Sequence, residues 1–191
     1  MLDSEFFEYH PEFIEPREAD AFLQRLWKEL EWCRKEITLF GRKVMQPRLI
    51  AWHGDPGSVY RYSGLLLRPQ PWHPVLRVLK QRLEEFSGHP FNAVLANAYR
   101  DGRDSMGWHR DDEKELGHDP FIASLSFGAD RRFLVREKGE KSTGVILGHG
   151  SLLVMKRGCQ RRFQHALPKT GRDVGLRVNL TYREIRDQAP V

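Results

Sequence analysis

At Phe91 the apolar residues stop recurring every three or four positions and begin to recur every second one, which commits the second half of the chain to β-structure. Strand-like runs follow at residues 91–99, 121–128, 132–136, 143–147, 151–156, 163–167 and 175–184, parted by Gly-rich or charged connections. No helix-length pattern separates them, so an antiparallel sandwich or barrel is predicted rather than a parallel sheet. Before Phe91 the pattern is helical in two places. Pro16 precedes Phe22, Leu23, Leu26, Trp27 and Leu30, and proline suits a first turn whose N–H has no helical partner. A second helix is expected over residues 74–86, with Val75, Leu76, Leu79, Leu83 and Phe86 on one face and Gly88 just past its end. Between them, residues 37–67 carry turn signals at Phe40–Gly41, Gly54–Asp55, Pro56–Gly57 and Ser63–Gly64, and read as hairpins and loops.

A chain of 191 residues that is 40% apolar can bury one sizeable core, so a single domain over 1–191 is expected, with helices and hairpins in 1–90 and the sheet core in 91–186. No apolar run approaches the ~18 residues of a membrane span, and residues 1–8 hold no signal-like stretch, so a cytoplasmic, nucleoid-associated location is expected. Cys33 and Cys159 stand far apart in unrelated contexts and read as packed or surface thiols. A net charge of +5 permits a polyanionic partner. Basic residues at Arg42–Lys43, Arg131–Arg132, Lys156–Arg157, Arg161–Arg162 and Lys169 with Arg172 stand beside predicted turns, from which side chains can reach phosphates.

His109 and Asp111 are two residues apart, so an extended backbone sends both side chains from one face. His165 offers a second imidazole after the run of strands. Two imidazoles and a carboxylate on one side of a cation leave positions open opposite, which suits Fe(II) that must also bind a cosubstrate and dioxygen; a zinc hydrolase uses similar ligands. In the last strand, Leu176, Val178, Leu180 and Tyr182 alternate with Arg177, Asn179, Thr181 and Arg183, giving one apolar face and one suited to anions. Asn97 and Tyr99 flank Ala98 at the end of an otherwise apolar run, where buried polar groups need partners. A dicarboxylate would supply them, since guanidinium groups grip carboxylates bidentately.

Taken together, Asn97-Ala98-Tyr99, His109-Arg110-Asp111, His165 and the run from Arg177 to Arg183 resemble the AlkB family of 2-oxoglutarate dioxygenases in order and spacing. The resemblance covers roughly residues 40–185 and implies an α+β, mainly β fold: a double-stranded β-helix, or jelly roll, with N-terminal helices and a nucleotide-recognition lid. It implies Fe(II) on His109, Asp111 and His165, and 2-oxoglutarate held by Asn97, Tyr99, Arg177, Asn179, Thr181 and Arg183, with O2 as the oxidant. The implied reaction decarboxylates 2-oxoglutarate to succinate and hydroxylates an N-methyl group, which leaves as formaldehyde.

Within the family the chain looks most like the branch acting on 1-methyladenine and 3-methylcytosine in double-stranded DNA, which makes alkylated DNA the expected partner of a monomer. Asp112 and Glu113 stand where family members contact the damaged, cationic base. Tyr60, Tyr62 and Ser63 resemble a lid strand whose ring stacks on that base, and Phe40, Gly41 and Arg42 a hairpin tip that wedges into the duplex. His10, His53, His73, His89, His118 and His149 are read as surface or capping residues. Trp52 and Trp72 are read as packing groups. An RNA demethylase, a protein or small-molecule hydroxylase and a non-catalytic jelly-roll module are the rival readings.

Overall fold

The computed structural model describes residues 2–39, 42–62 and 65–186, so Phe40, Gly41 and Ser63 lie outside the described residues, and Arg42 and Tyr62 enter only through their backbone. In chain order the elements are β1 (Phe7–His10), α1 (Pro16–Glu29), β2 (Glu36–Leu39), β3 (Arg42–Met45), β4 (Leu49–Gly54), β5 (Tyr60–Tyr62), β6 (Leu65–Leu67) and α2 (Pro74–Ser87). There follow β7 (Ala93–Tyr99), β8 (Met106–His109), β9 (Ile122–Gly128), β10 (Arg131–Glu137), β11 (Thr143–Leu147), β12 (Ser151–Met155), α3 (Cys159–Arg162), β13 (Phe163–Leu167) and β14 (Arg177–Arg183).

Local chemistry sets the helix ends. The Glu15 carboxylate accepts from the Glu18 N–H at the start of α1, and the His73 ring accepts from the Val75 N–H at the start of α2. Gly88 ends α2 at φ 68°, a left-handed turn that glycine adopts without strain.

The strands form two facing layers of a jelly roll. One sheet has six strands in the order β1-β12-β9-β14-β7-β4, and the other has four in the order β11-β10-β13-β8. Every ladder within them is antiparallel, as the absence of intervening helices predicts. The pairs β2–β3 and β5–β6 form separate hairpins in the region read as a lid. Alternation along β14 has the predicted outcome: Val178, Leu180 and Tyr182 pack with Leu125 and Phe127 of β9 against Leu26 of α1 and Leu76, Leu79 and Leu83 of α2. Burying each leucine-sized side chain contributes about 1.5–3 kcal/mol. The buried Tyr182 hydroxyl donates to the Leu76 carbonyl at 2.9 Å, so α2 is fixed to the sheet by a polar contact as well.

Three elements have no clear signature in the sequence. β1 and β8 are four residues long, too short to show alternation, and β8 contains Gly107; α3 is a single turn. His53 departs from its surface reading. It is buried in β4, and its Nδ1 lies 2.7 Å from the Pro71 carbonyl oxygen. His73 and His149 do act as caps, the latter accepting from the Gly128 N–H at 2.8 Å.

Candidate metal centre and anion pocket

The four-stranded sheet and its connections supply three convergent side chains. His109 ends β8 directly opposite His165 in β13, with ring centroids 4.1 Å apart. Asp111 lies two residues beyond the strand, so its placement comes from the loop that follows β8 rather than from strand alternation. Its carboxylate oxygens stand 3.9 Å from the Nε2 of each imidazole. One ligand atom from each of the three lies within 4.8 Å of the others, and among the described residues no other cluster of three metal-ligating side chains forms.

The protonation states suit a cation. Burial lowers the pKa of His109 and holds His165 at about 3, so both rings are neutral near neutral pH. The Nδ1 of His109 lies 2.9 Å from the Gly107 carbonyl, which makes Nδ1 the protonated nitrogen and leaves the Nε2 lone pair toward Asp111. Burial alone would push Asp111 up, but the Arg183 guanidinium at 2.8 Å and the two imidazoles outweigh it and hold the carboxyl at about 2. Two neutral imidazoles and an ionised carboxylate fit Fe(II) by donor type.

The facing six-stranded sheet lines the rest of the cleft with polar groups. Register pairs Arg177 with Tyr99, and Asn179 with Asn97, across β14 and β7; on the other side Asn179 pairs with Ser126 and Thr181 with Ser124 of β9. These residues therefore share one face. Arg177 is buried, donates to the Ser126 hydroxyl at 2.9 Å and sits 5.3 Å over the Tyr99 ring. Burial, aided by nearby Arg131, lowers its pKa to about 10, which still leaves it cationic. Asn179 donates to Ser124 and to the Leu125 carbonyl, both at 2.8 Å, and Thr181 donates to Asn179 at 3.2 Å. Asn97 accepts from Arg48 at 2.7 Å. Among the described residues, the buried Nε of Arg177, and the Nε and Nη1 of Arg183, have no acceptor. A dianion such as 2-oxoglutarate fits that donor set.

The residues read as base-contacting separate in the structure. Asp112 is exposed, beside Arg110, Arg136, Lys138 and Gln164 on the rim. Glu113 turns inward, where burial and then the charge of Asp111 push its pKa up to about 7 against the pull of Arg183 and Tyr60. Tyr60 does not present a free ring. It is fully buried, stacked on Trp52 at 4.8 Å, with the Arg183 guanidinium 5.3 Å over it. Trp52 and Trp72 are packing groups as expected: Trp52 is buried, and Trp72 lies parallel to Tyr182. Trp108 carries the Arg136 guanidinium 4.0 Å over its ring.

Sequence reading missed Arg48, Ser124, Ser126, Arg131 and Gln160. Ser124 and Ser126 flank Leu125 as Asn97 and Tyr99 flank Ala98, so the same alternation would have found them. Arg131, expected from its place beside a turn to reach phosphates, is instead buried and donates to the carbonyls of Asp101, Asp104 and Pro168 at 3.1, 2.9 and 2.7 Å. Lys156, Arg161 and Arg162 are likewise engaged, with Glu8, Asp119 and Glu137.

The 2OG-Fe(II) oxygenase superfamily model matches residues 6–183. The chain is 43% identical over 192 residues to the human protein "Alpha-ketoglutarate-dependent dioxygenase alkB homolog 3", spanning 92% of this chain and 65% of the human one. It is 42% identical over 180 residues to the mouse protein "DNA oxidative demethylase ALKBH2", spanning 88% of this chain and 75% of that one. Among solved structures, OsALKBH1 matches with a TM-score of 0.66 at 17% identity, over 96% of this chain and 100% of its own. A 2OG-Fe(II) oxygenase family protein from Burkholderia pseudomallei gives 0.64 at 13% identity, over 97% and 90%. These two structural likenesses bear on the fold alone. No helix among the described residues is long and apolar enough to cross a membrane.

Proposed function

Since the chain belongs to the AlkB branch of the 2OG-Fe(II) oxygenase superfamily, we propose that it oxidatively demethylates N-alkylated bases in DNA, with 1-methyladenine and 3-methylcytosine as substrates. The observation that carries this reading is the meeting, in one cleft, of the His109–Asp111–His165 cluster with a buried polar face ending in Arg177. When bound, Fe(II) together with 2-oxoglutarate and dioxygen supplies the oxidant that hydroxylates the N-methyl group, with succinate, carbon dioxide and formaldehyde as products.

The protein's own residues do the positioning. His109, Asp111 and His165 would hold the ion, and three protein ligands would leave coordination positions for the cosubstrate and dioxygen. Arg177 would neutralise a carboxylate of the cosubstrate, with Tyr99 and Asn97 as further donors, while Asn179 and Thr181, whose donors are taken by Ser124, Leu125 and Asn179, would shape that face of the pocket. Arg183 keeps Asp111 ionised and aimed, through their 2.8 Å contact. Glu113, poised near neutrality, meets a base that is cationic when methylated, and that positive charge favours its ionised form. As the family resemblance implies, Asp112 contacts the damaged base, Tyr62 and Ser63 belong to the strand whose ring stacks on it, and Phe40, Gly41 and Arg42 wedge into the duplex. The setting of this action is nucleoid DNA in the cytoplasm, and the acting species a monomer.

The test is turnover by purified protein with Fe(II), ascorbate and 2-oxoglutarate on methylated single-stranded DNA, duplex DNA and RNA. Formaldehyde and succinate should appear in equal amounts, with restored base on DNA and faster repair in duplex. Repair confined to RNA would move the substrate class. No repair of any strand by protein with iron demonstrably bound would defeat the proposal.

A further inference from the structure

Asp111 stands past the end of β8, so its backbone N–H has no strand partner. A buried N–H needs an acceptor, and here the acceptor comes from 49 residues away. The Oε1 of Gln160 accepts from it at 3.0 Å, in a buried contact. Gln160 is 2% exposed, and its Nε2 faces two soft acceptors, the Met155 sulfur at 3.4 Å and the Cys159 sulfur at 3.9 Å. Only an oxygen can accept from the Asp111 N–H, so this arrangement fixes which way the amide points.

Gln160 is itself firmly seated. It lies in α3, the single turn that runs directly into β13, the strand of His165. Gly158 opens that turn at φ 87°, where a Cβ would press on the Phe6 ring, and its N–H donates to the Asp119 carboxylate. Cys159 packs among Phe7, Ile122 and Met155 between the sheets.

We propose that Gln160 is a positioning residue for the metal-binding carboxylate: it ties the loop carrying Asp111 to the element carrying His165 and so sets the separation of those two ligands. The inference rests on the reading of His109, Asp111 and His165 as metal ligands. It requires no contact between Gln160 and the ion. Ligand geometry must hold within about 0.5 Å to keep its affinity. Releasing the Asp111 N–H therefore loosens the metal centre while the helix-backed sheet stays intact.

The experiment is a titration of full-length, metal-stripped protein with Co(II) alone, read by its visible absorption band and without nucleic acid or turnover. Gln160→Met keeps the bulk and removes the acceptor; it should weaken Co(II) binding about 10–100-fold, the usual effect of disturbing a group that orients a ligand, and alter the band. Ile122→Ala trims a side chain that packs beside Cys159 and leaves every contact of Gln160 in place, so it should lower Tm and leave both the dissociation constant and the band as in the parent. Parent-like Co(II) binding by Gln160→Met overturns the proposal, as does equal weakening in the two variants. Hydrogen exchange at the Asp111 amide of the parent protein tests the same contact without any variant: slow exchange supports it, and exchange as fast as in an exposed loop overturns it. A parent that binds no Co(II) would instead defeat the metal centre itself, so the two failures are distinguishable.

Discussion

In the six-stranded sheet, β14 runs between β7 and β9 with seven and six paired positions, and helices α1 and α2 pack on its outer face. In the four-stranded sheet, β8 is an edge strand that keeps two paired positions against β13, with a register shift between them. The first sheet carries the polar face that fits an anion, and the second carries the imidazoles. A long ladder places Arg177, Asn179 and Thr181 by register alone. A short, bulged one cannot do so, and the two ligands carried by β8 and its loop are held by individual contacts, Gly107 to His109 and Gln160 and Arg183 to Asp111, while His165 is set by the ladder of β13 with β10. Precision in this molecule comes from repetition on one side of the cleft and from side-chain tethers on the other.

The most severe way to break that contrast is Asp111→Ala. It removes a proposed ligand and leaves Arg183 buried without its carboxylate, so turnover should fall to background and the protein should lose about 3–5 kcal/mol of stability in urea unfolding. Full stability would show that the pair does not bridge the sheets. Arg177→Met probes the other side. Losing a charge-assisted contact worth about 2–3 kcal/mol should raise the KM for 2-oxoglutarate roughly 30–150-fold. Stability should hold or rise, because a buried cation is removed from a ladder that does not need it. An unchanged KM would remove Arg177 from the cosubstrate pocket.

The smallest effect is on pH. In metal-stripped protein, burial lowers the pKa of His53 and His109 and holds His165 at about 3, against 6.5 for a free imidazole. Below pH 6.5 the unfolded chain therefore takes up protons that the folded one does not, and stability falls as pH drops toward the folded values. Glu113 has the opposite sign: its folded pKa of about 7, above the free 4.5, adds stability as pH falls between those values. In the parent the two contributions oppose each other, so the comparison is made in Glu113→Gln, where only the imidazoles remain: its unfolding free energy should be lower at pH 5.5 than at 7.5 by at least about 1 kcal/mol, a larger fall than the parent shows. A Glu113→Gln variant no less stable at pH 5.5 than at 7.5 would reverse the assignment of neutral imidazoles.

The contrast between sheets also explains what could be read before folding. β14 and β7 announce themselves because their length allows alternation to show, and with it the polar set from Asn97 to Arg183. α1 and α2 are equally legible, from apolar spacing, Pro16 and Gly88. β8 is not, since four residues with a glycine carry no period. The tethers are invisible for a different reason: Arg48 meets Asn97 across 49 residues, and Arg131 meets Pro168 across 37. A basic pair beside a turn, such as Arg131–Arg132, looks solvent-facing until the loops at Asp101–Asp104 and Pro168 close over one member. His53 is buried for the same reason, since polarity in a turn-rich stretch says nothing of what later packs against it, and Tyr60, placed by resemblance to a lid strand, is buried against Trp52.

The contact between Arg183 and Asp111 joins a strand of one layer to a loop of the other. Both charges give up their water when the chain folds rather than when a ligand arrives, so the gap between the layers is set as a fixed gauge. Whatever enters that aperture is measured against a width the protein has already chosen.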